Sequence, residues 1–296
     1  MNKPLSKYSN LTQRLITGLL GSAAIIYGLI ISEWAYFGVF FIICFFSLRE
    51  FYKLSAFDGL LPLKTVGIII GMIVFCLSFF IERGDLEPKY YFIIFPLMAL
   101  VYMIKLYKKG EYKPFTNIAF TFLGIFYIAV PISLLNQVVF QDSYKSFGLI
   151  DCLVNSTYYF QPILGILLIL WATDTGAYFT GTFLGKHKLF ERISPKKTWE
   201  GFIGGAVLAG IIAYVFNLIL ANYNKQFLTL IDWIVITIII VVGGTFGDLV
   251  ESLLKRSIEI KDSGTSIPGH GGFLDRFDGL FISAPFVVAY LEIFKG

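Results

Sequence analysis

The chain has 296 residues, of which 56% are apolar and 15% charged, and its formal net charge is +4. Soluble domains average about 45–50% apolar and about 25% charged residues, and here the charges gather in short clusters between long apolar runs. That pattern excludes an ordinary soluble domain and predicts an all-α, polytopic integral membrane protein, since about 20 apolar residues cross the hydrocarbon as a helix.

Nine spans are predicted in chain order. The first, about 14–31, follows Arg14 and contains Gly21-Ser22-Ala23-Ala24, features shared with a signal peptide. Its apolar run continues to Ile31, longer than a signal core, so it is read as a span. Spans at about 34–48, 62–81, 90–107 and 115–140 follow, the first of these four short. The sixth, about 162–183, carries Asp174. An acid inside a span is a functional candidate by default, with a structural hydrogen bond to Thr175 or a neighbouring helix as the rival reading.

Between the sixth span and the seventh (about 201–221) lies Ser194-Pro195-Lys196-Lys197-Thr198-Trp199-Glu200-Gly201. Its lysine pair and its hydroxyls, Ser194 and Thr198, precede a helix N-terminus, a suitable place for a phosphate. The eighth span, about 228–248, ends on Asp248. At helical spacing Asp248, Glu251, Ser252 and Lys255 share one face. Coordination of a metal by Asp248 together with Asp275 would satisfy the acid at the helix end; snorkelling into headgroup water is the alternative.

The loop before the short ninth span (about 278–294) is dense in ionisable groups: Lys255, Arg256, Lys261, Asp262, His270, Asp275, Arg276 and Asp278. Alternating cations and carboxylates suit polyphosphate chemistry, because carboxylates hold a divalent cation while Lys and Arg neutralise phosphate oxygens. The turn Pro268-Gly269-His270-Gly271-Gly272 lets backbone amides approach a ligand. Singly, each piece has an ordinary reading. Lys255-Arg256 could be a topology anchor, the glycines a plain loop, and the two aspartates a response to the helix dipole.

Orientation follows from the basic residues. With the N-terminus and alternate loops on one side, 19 of the 24 Lys and Arg fall there, leaving Arg83, Lys89, Lys145, Lys225 and Lys295 opposite. The rich side is expected to be cytoplasmic, with the N-terminus inside and the C-terminus outside. The three cysteines, Cys44, Cys76 and Cys152, form no C-x-x-C pair and are read as small apolar filler.

From Ser252 to Asp278 the sequence resembles the signature of the phosphatidate cytidylyltransferase (CDP-diacylglycerol synthase) family. The matching pieces are Ser-x-Leu-Lys-Arg, Lys-Asp-x-Gly and Pro-Gly-His-Gly-Gly-Phe-x-Asp-Arg-Phe-Asp. Residues 194–201 and the settings of Asp174 and Gly247-Asp248 fit as well. The chain is read as one membrane domain over 1–296, with a catalytic region at 171–279, a signature at 252–278 and less specific spans in 1–160.

The resemblance implies a metal-dependent nucleotidyltransferase of a bacterial inner or plasma membrane. It would join CTP to phosphatidic acid at the cytoplasmic face, yielding CDP-diacylglycerol and pyrophosphate. On that reading Asp248 and Asp275 hold Mg2+, for which Mn2+ can substitute, with Asp278 and Asp262 beside them; a second cation such as K+ and a homodimer are left open. Ser194, Lys196, Lys197, Thr198, Ser252, Lys255, Arg256, Lys261, Arg276 and Asp174 are candidates for substrate contact, and His270 for a phosphate or a carboxylate. No nucleic-acid partner is expected. The rival readings are a CTP-dependent polyprenol or phytol kinase and, further off, a secondary transporter, which should show internal repeats.

Overall fold

The computed structural model describes residues 10–56, 59–111, 113–141, 157–222, 228–259 and 272–295. Lys261, Asp262, His270 and Cys152 lie outside the described residues. The helices are α1 (Asn10–Ile31), α2 (Glu33–Ser55), α3 (Lys64–Glu82), α4 (Ile94–Leu106), α5 (Pro114–Gly124), α6 (Val130–Val139), α7 (Gln161–Leu184), α8 (Trp199–Asn222), α9 (Leu230–Ser257) and α10 (Leu274–Lys295). A 3-10 turn (Pro88–Ile93) leads into α4. Among the described residues, eight helical segments are long and apolar enough to cross a membrane, and α1 adds a shorter apolar stretch, Gly18–Ile31.

The polar ends of helices run further than hydropathy indicates. The second span was expected to stop at 48, yet α2 continues through Arg49, Glu50 and Lys53 to Ser55. The eighth was expected to end at 248 and continues to Ser257; the ninth begins at Leu274 rather than 278. Thus Ser252–Ser257 and Leu274–Asp278, expected in a loop, are helical. An apolar run marks where lipid lies, whereas helical hydrogen bonds continue wherever polar side chains find partners at the interface.

Contacts at both ends show that the helices alternate in direction. At one end Arg83 pairs with Glu33 (3.0 Å), the Tyr158 hydroxyl donates to the Leu29 carbonyl (2.7 Å), and Lys295 pairs with Asp232 (3.0 Å). At the other, Leu274 N–H donates to Glu50 Oε2 (2.9 Å), and Lys105 is bound to Glu111 (2.6 Å) and the Leu61 carbonyl. Lys105 is therefore no simple topology charge, since it is buried and paired. Burial raises the Glu111 carboxyl, but hydrogen bonds from Lys105 and Asn117 outweigh it and hold the group below its ordinary value. This pair thus stabilises the fold above the usual carboxylate range, and the contribution is lost as pH falls through the lowered value.

Small residues set the closest helix contacts, as expected where no hydrophobic driving force acts between helices. A Cβ on Gly176 of α7 would stand 2.8 Å from the Gly204 carbonyl oxygen and 2.9 Å from Gly205 Cα in α8. Gly201, Gly204 and Gly205 of α8 likewise face α7 of the same chain, against Ala177, Thr180 and Thr173.

Two strands, β1 (Phe140–Gln141) and β2 (Thr157–Tyr158), pair antiparallel. A second hairpin, β3 (Lys188–Phe190) with β4 (Ser194–Thr198), joins α7 to α8. Glu200, in the first turn of α8, accepts the backbone N–H groups of Lys186 and His187 (3.0 and 3.2 Å), and the Thr198 hydroxyl accepts Gly201 N–H (3.1 Å). Between α5 and α6 the helix widens into a π-turn at Ile125–Ala129. Pro131 has no N–H for the carbonyl four residues earlier, at Tyr127, and the backbone accommodates this by widening.

Candidate active site

The eighth helical span supplies one wall of a cleft. Asp248, Glu251, Ser252 and Lys255 lie along one face of α9, and Ser252 Oγ donates to Asp248 Oδ1 (3.3 Å). The N-terminal turn of α10 supplies the opposing wall. It comes this close because residue 247 is glycine: a Cβ there would collide with the Asp278 carbonyl oxygen and stand 2.7 Å from Gly279 Cα. One ligand oxygen each of Asp248, Glu251 and Asp278 consequently lies within 4.8 Å of the others.

This set differs from the expected pair. Asp275 is held by Lys255 at Oδ1 (2.9 Å) and by Gly272 N–H at Oδ2 (3.0 Å). Lys255 also binds Glu251 Oε2 (2.9 Å), so it bridges two carboxylates rather than presenting a free ammonium group. Asp278, one turn further along α10, is the residue that meets Asp248. Its Oδ1 accepts the Gly279 N–H (2.7 Å).

The hairpin reaches over the cleft. Lys197 Nζ pairs with Asp248 Oδ2 (2.7 Å) and donates to the Thr245 carbonyl (3.2 Å). Successive side chains of a strand point to opposite faces, so Lys196 is exposed and the two lysines do not form one cradle. Thr198 is buried and caps α8, and Ser194 pairs with Phe190 at the start of β4. Asp174, the acid of the sixth span, lies on α7 within the surround of protein atoms at the cleft, though part of its side-chain surface is open, with Asp248, Lys197 and Arg276 as electrostatic neighbours. Arg256 is exposed at the end of α9.

Three features lie outside the sequence reading of the site. Glu251 was placed on the Asp248 face but given no role; it is 1% exposed, and its Oε1 has no hydrogen-bond partner among the described residues. Glu50, 4% exposed in α2, accepts the first N–H of α10 and so holds the turn that carries Asp275, Arg276 and Asp278. Tyr127, in the π-turn, has Asp278, Glu251 and Asp248 as electrostatic neighbours. An acid on the interfacial stretch of a short span was the only signal for Glu50.

The residues fit a divalent cation. Five carboxylates (Asp174, Asp248, Glu251, Asp275, Asp278) face three cations (Lys197, Lys255, Arg276), an excess of two negative charges when all are ionised. Hard cations take carboxylate oxygens, and the buried Glu251 Oε1 is an acceptor in need of a partner.

The family model described as "Cytidylyltransferase family" matches residues 12–294. A phosphatidate cytidylyltransferase of Bacillus subtilis is 32% identical over 291 residues, covering 97% of this chain and 99% of that protein. One from Staphylococcus saprophyticus is 34% identical over 251 residues, 83% of this chain and 85% of its own length. One from Staphylococcus haemolyticus is 48% identical over 123 residues, 42% of this chain and 46% of its own. With a match that runs through every described helix from α1 to α10, the chain belongs to the cytidylyltransferase family.

Proposed function

We infer that the protein is a phosphatidate cytidylyltransferase, transferring CMP from CTP to phosphatidic acid with release of pyrophosphate. The observation that carries this reading is the convergence of Asp248, Glu251 and Asp278 with Lys197 in a chain that matches the family over nearly its whole length. A divalent cation, Mg2+ or Mn2+, held by Asp248, Glu251 and Asp278 would screen repulsion between two polyanions and stabilise charge on the leaving pyrophosphate.

The rest of the chemistry is positioning and electrostatics. The phosphate oxygen of the lipid forms a bond to the α-phosphorus of CTP, and the bond from that phosphorus to the bridging oxygen of the β-phosphate breaks. The attacking oxygen arrives anionic, so no Ser, Cys or His nucleophile is called for. Lys197 and Arg276 face the same carboxylates and are placed to neutralise phosphate oxygens. Lys255 holds Glu251 and Asp275 in register, and Glu50 holds the start of α10. We assign the catalytic region to 171–279, with Glu50 contributing from outside it.

Incubating purified protein with CTP labelled in the cytidine, together with phosphatidic acid, should yield a cytidine-bearing lipid and one pyrophosphate per turnover. Label appearing only in soluble CDP, with phosphate on a polyprenol or phytol acceptor, would instead establish a kinase.

We place the cleft on the cytoplasmic side, because 19 of 24 basic residues lie on the loops of that end. Reporters fused within 186–197 should read cytoplasmic, and one after residue 296 external; the reverse would invert the molecule.

The separation of the two hairpin lysines is testable. Lys197→Gln should lower kcat/KM by roughly a hundredfold, about 2.7 kcal/mol of transition-state stabilisation. Lys196→Gln should stay close to the wild type, as should the control pair Lys64→Gln and Lys109→Gln, which are exposed. Equal losses at 196 and 197 would show that general surface charge, not the Asp248 contact, is what matters.

A further inference from the structure

The N-terminal half of the chain reads, from sequence, as a string of apolar spans. One of its residues nevertheless reaches the carboxylates. Tyr127 lies in the π-turn Ile125–Ala129, its ring packed against Phe281 of α10 (5.7 Å between centroids) and Phe51 of α2 (6.3 Å). Its hydroxyl is buried and has no hydrogen-bond partner among the described residues. The nearest charges acting on it are those of Asp278, Glu251 and Asp248.

A ring that served packing alone would be served equally by phenylalanine. A buried hydroxyl with no acceptor carries a desolvation cost, so its retention beside three carboxylates calls for an acceptor. The backbone makes the same point. Widened helical turns recur at functional sites, and this one carries Tyr127 against Phe281, one turn along α10 from Asp278. Glu251, whose carboxyl lies against that of Asp275, presents the complementary feature, a buried Oε1 to which no group among the described residues donates. A hydroxyl with no acceptor and a carboxyl oxygen to which nothing among the described residues donates thus belong to the same carboxylate cluster.

We propose that Tyr127 is a positioning residue for the cation site, its hydroxyl donating a hydrogen bond into the oxygen shell formed by Asp248, Glu251 and Asp278 and by the waters of the cation they hold. This rests on the reading of those three carboxylates as cation ligands. Hydrogen bonds of this kind fix the orientation of ligands and tune the affinity of the ion without touching it.

The test uses the full-length protein in detergent, without substrates, and Mn2+ as the probe, with free Mn2+ followed by electron paramagnetic resonance. Tyr127→Phe should weaken Mn2+ binding on the order of tenfold, as is typical for residues that support metal ligands. Its melting temperature in chelator should match or exceed that of the wild type, since only an unpaired hydroxyl is removed. Phe281→Leu disturbs the same packing but keeps the hydroxyl. Tyr290→Phe removes a hydroxyl that donates to Asp232 at the far end of the bundle (2.7 Å). Both should leave the Mn2+ titration unchanged.

Asp278→Asn separates the two levels of inference. If it abolishes Mn2+ binding while Tyr127→Phe binds like the wild type, the role given to Tyr127 is wrong and the carboxylate site stands. If Asp278→Asn also binds normally, the carboxylate reading falls and the role of Tyr127 falls with it. Equal weakening by Tyr127→Phe and Phe281→Leu would assign the effect to packing and overturn the proposal.

Discussion

Asp278→Asn and Asp248→Asn are each expected to lower kcat by about a thousandfold while the protein still inserts and purifies, equivalent to roughly 4 kcal/mol of transition-state stabilisation. Each substitution keeps the shape of the side chain and removes one negative charge from a cluster whose ligand oxygens lie within 4.8 Å of one another. Asp278 is the cleaner test, because Asp248 also anchors Lys197. Asp275→Asn should cost less, roughly tenfold, since an amide oxygen can still accept from Lys255 and from the Gly272 N–H, and the side-chain contact with Glu251 can be kept by the amide. Steady-state rates measured across a Mg2+ titration separate these outcomes. If Asp275→Asn were as severe as Asp278→Asn, the ligand set would have to be redrawn around Asp248 and Asp275.

Gly247→Ala is expected to lower kcat about a hundredfold, because displacement of reacting groups by about 1 Å has that effect. The added methyl would meet backbone, not a side chain that can swing aside: the Asp278 carbonyl oxygen, Gly279 Cα at 2.7 Å and the Asp278 carbonyl carbon at 2.9 Å. The first turn of α10 must therefore move away from α9, and Asp278 with it. Gly210→Ala is the matched control. Nothing lies within 4 Å of a Cβ at that position in α8, so helix propensity alone acts and should stabilise by up to about 1 kcal/mol. Rates for both variants, measured beside their thermal midpoints, decide the matter. Near-normal turnover in Gly247→Ala would mean that the α9–α10 contact is not what sets the cleft.

What could be read from the sequence followed the range of each signal. Apolar runs gave the spans, because lipid imposes one composition on every segment it surrounds. They misplaced the ends of α2, α9 and α10, because Arg49, Glu50, Asp275 and Arg276 continue a helix without continuing its hydropathy. The common face of Asp248, Glu251 and Lys255 was legible from 3.6-residue periodicity, a local rule. Which aspartate of α10 would face Asp248 was not, since that depends on a glycine contact between two helices. Lys196 and Lys197 read as a pair before a helix, whereas the strand pairing of Ser194–Thr198 with Lys188–Phe190 sends them to opposite faces. Tyr127 gave almost no signal. A tyrosine in an apolar run reads as core, and only Pro131, four residues on, marks the widened turn.

The hydrogen bond from Leu274 to Glu50 joins residues 224 positions apart, and this has a consequence for biogenesis. A membrane chain is threaded into the bilayer from its N-terminus, so α2 takes its place long before α10 is synthesised. Until then the Glu50 carboxylate, at the end of a span and destined for burial, lacks its native partner and must keep to the hydrated interface. The arrival of α10 does three things at once: it supplies that N–H, brings Asp278 against Asp248 and covers the Tyr127 ring with Phe281. The cleft is thus the last part of the molecule to form, and a ribosome that stops short of Leu274 leaves α1 to α9 embedded with no catalyst among them.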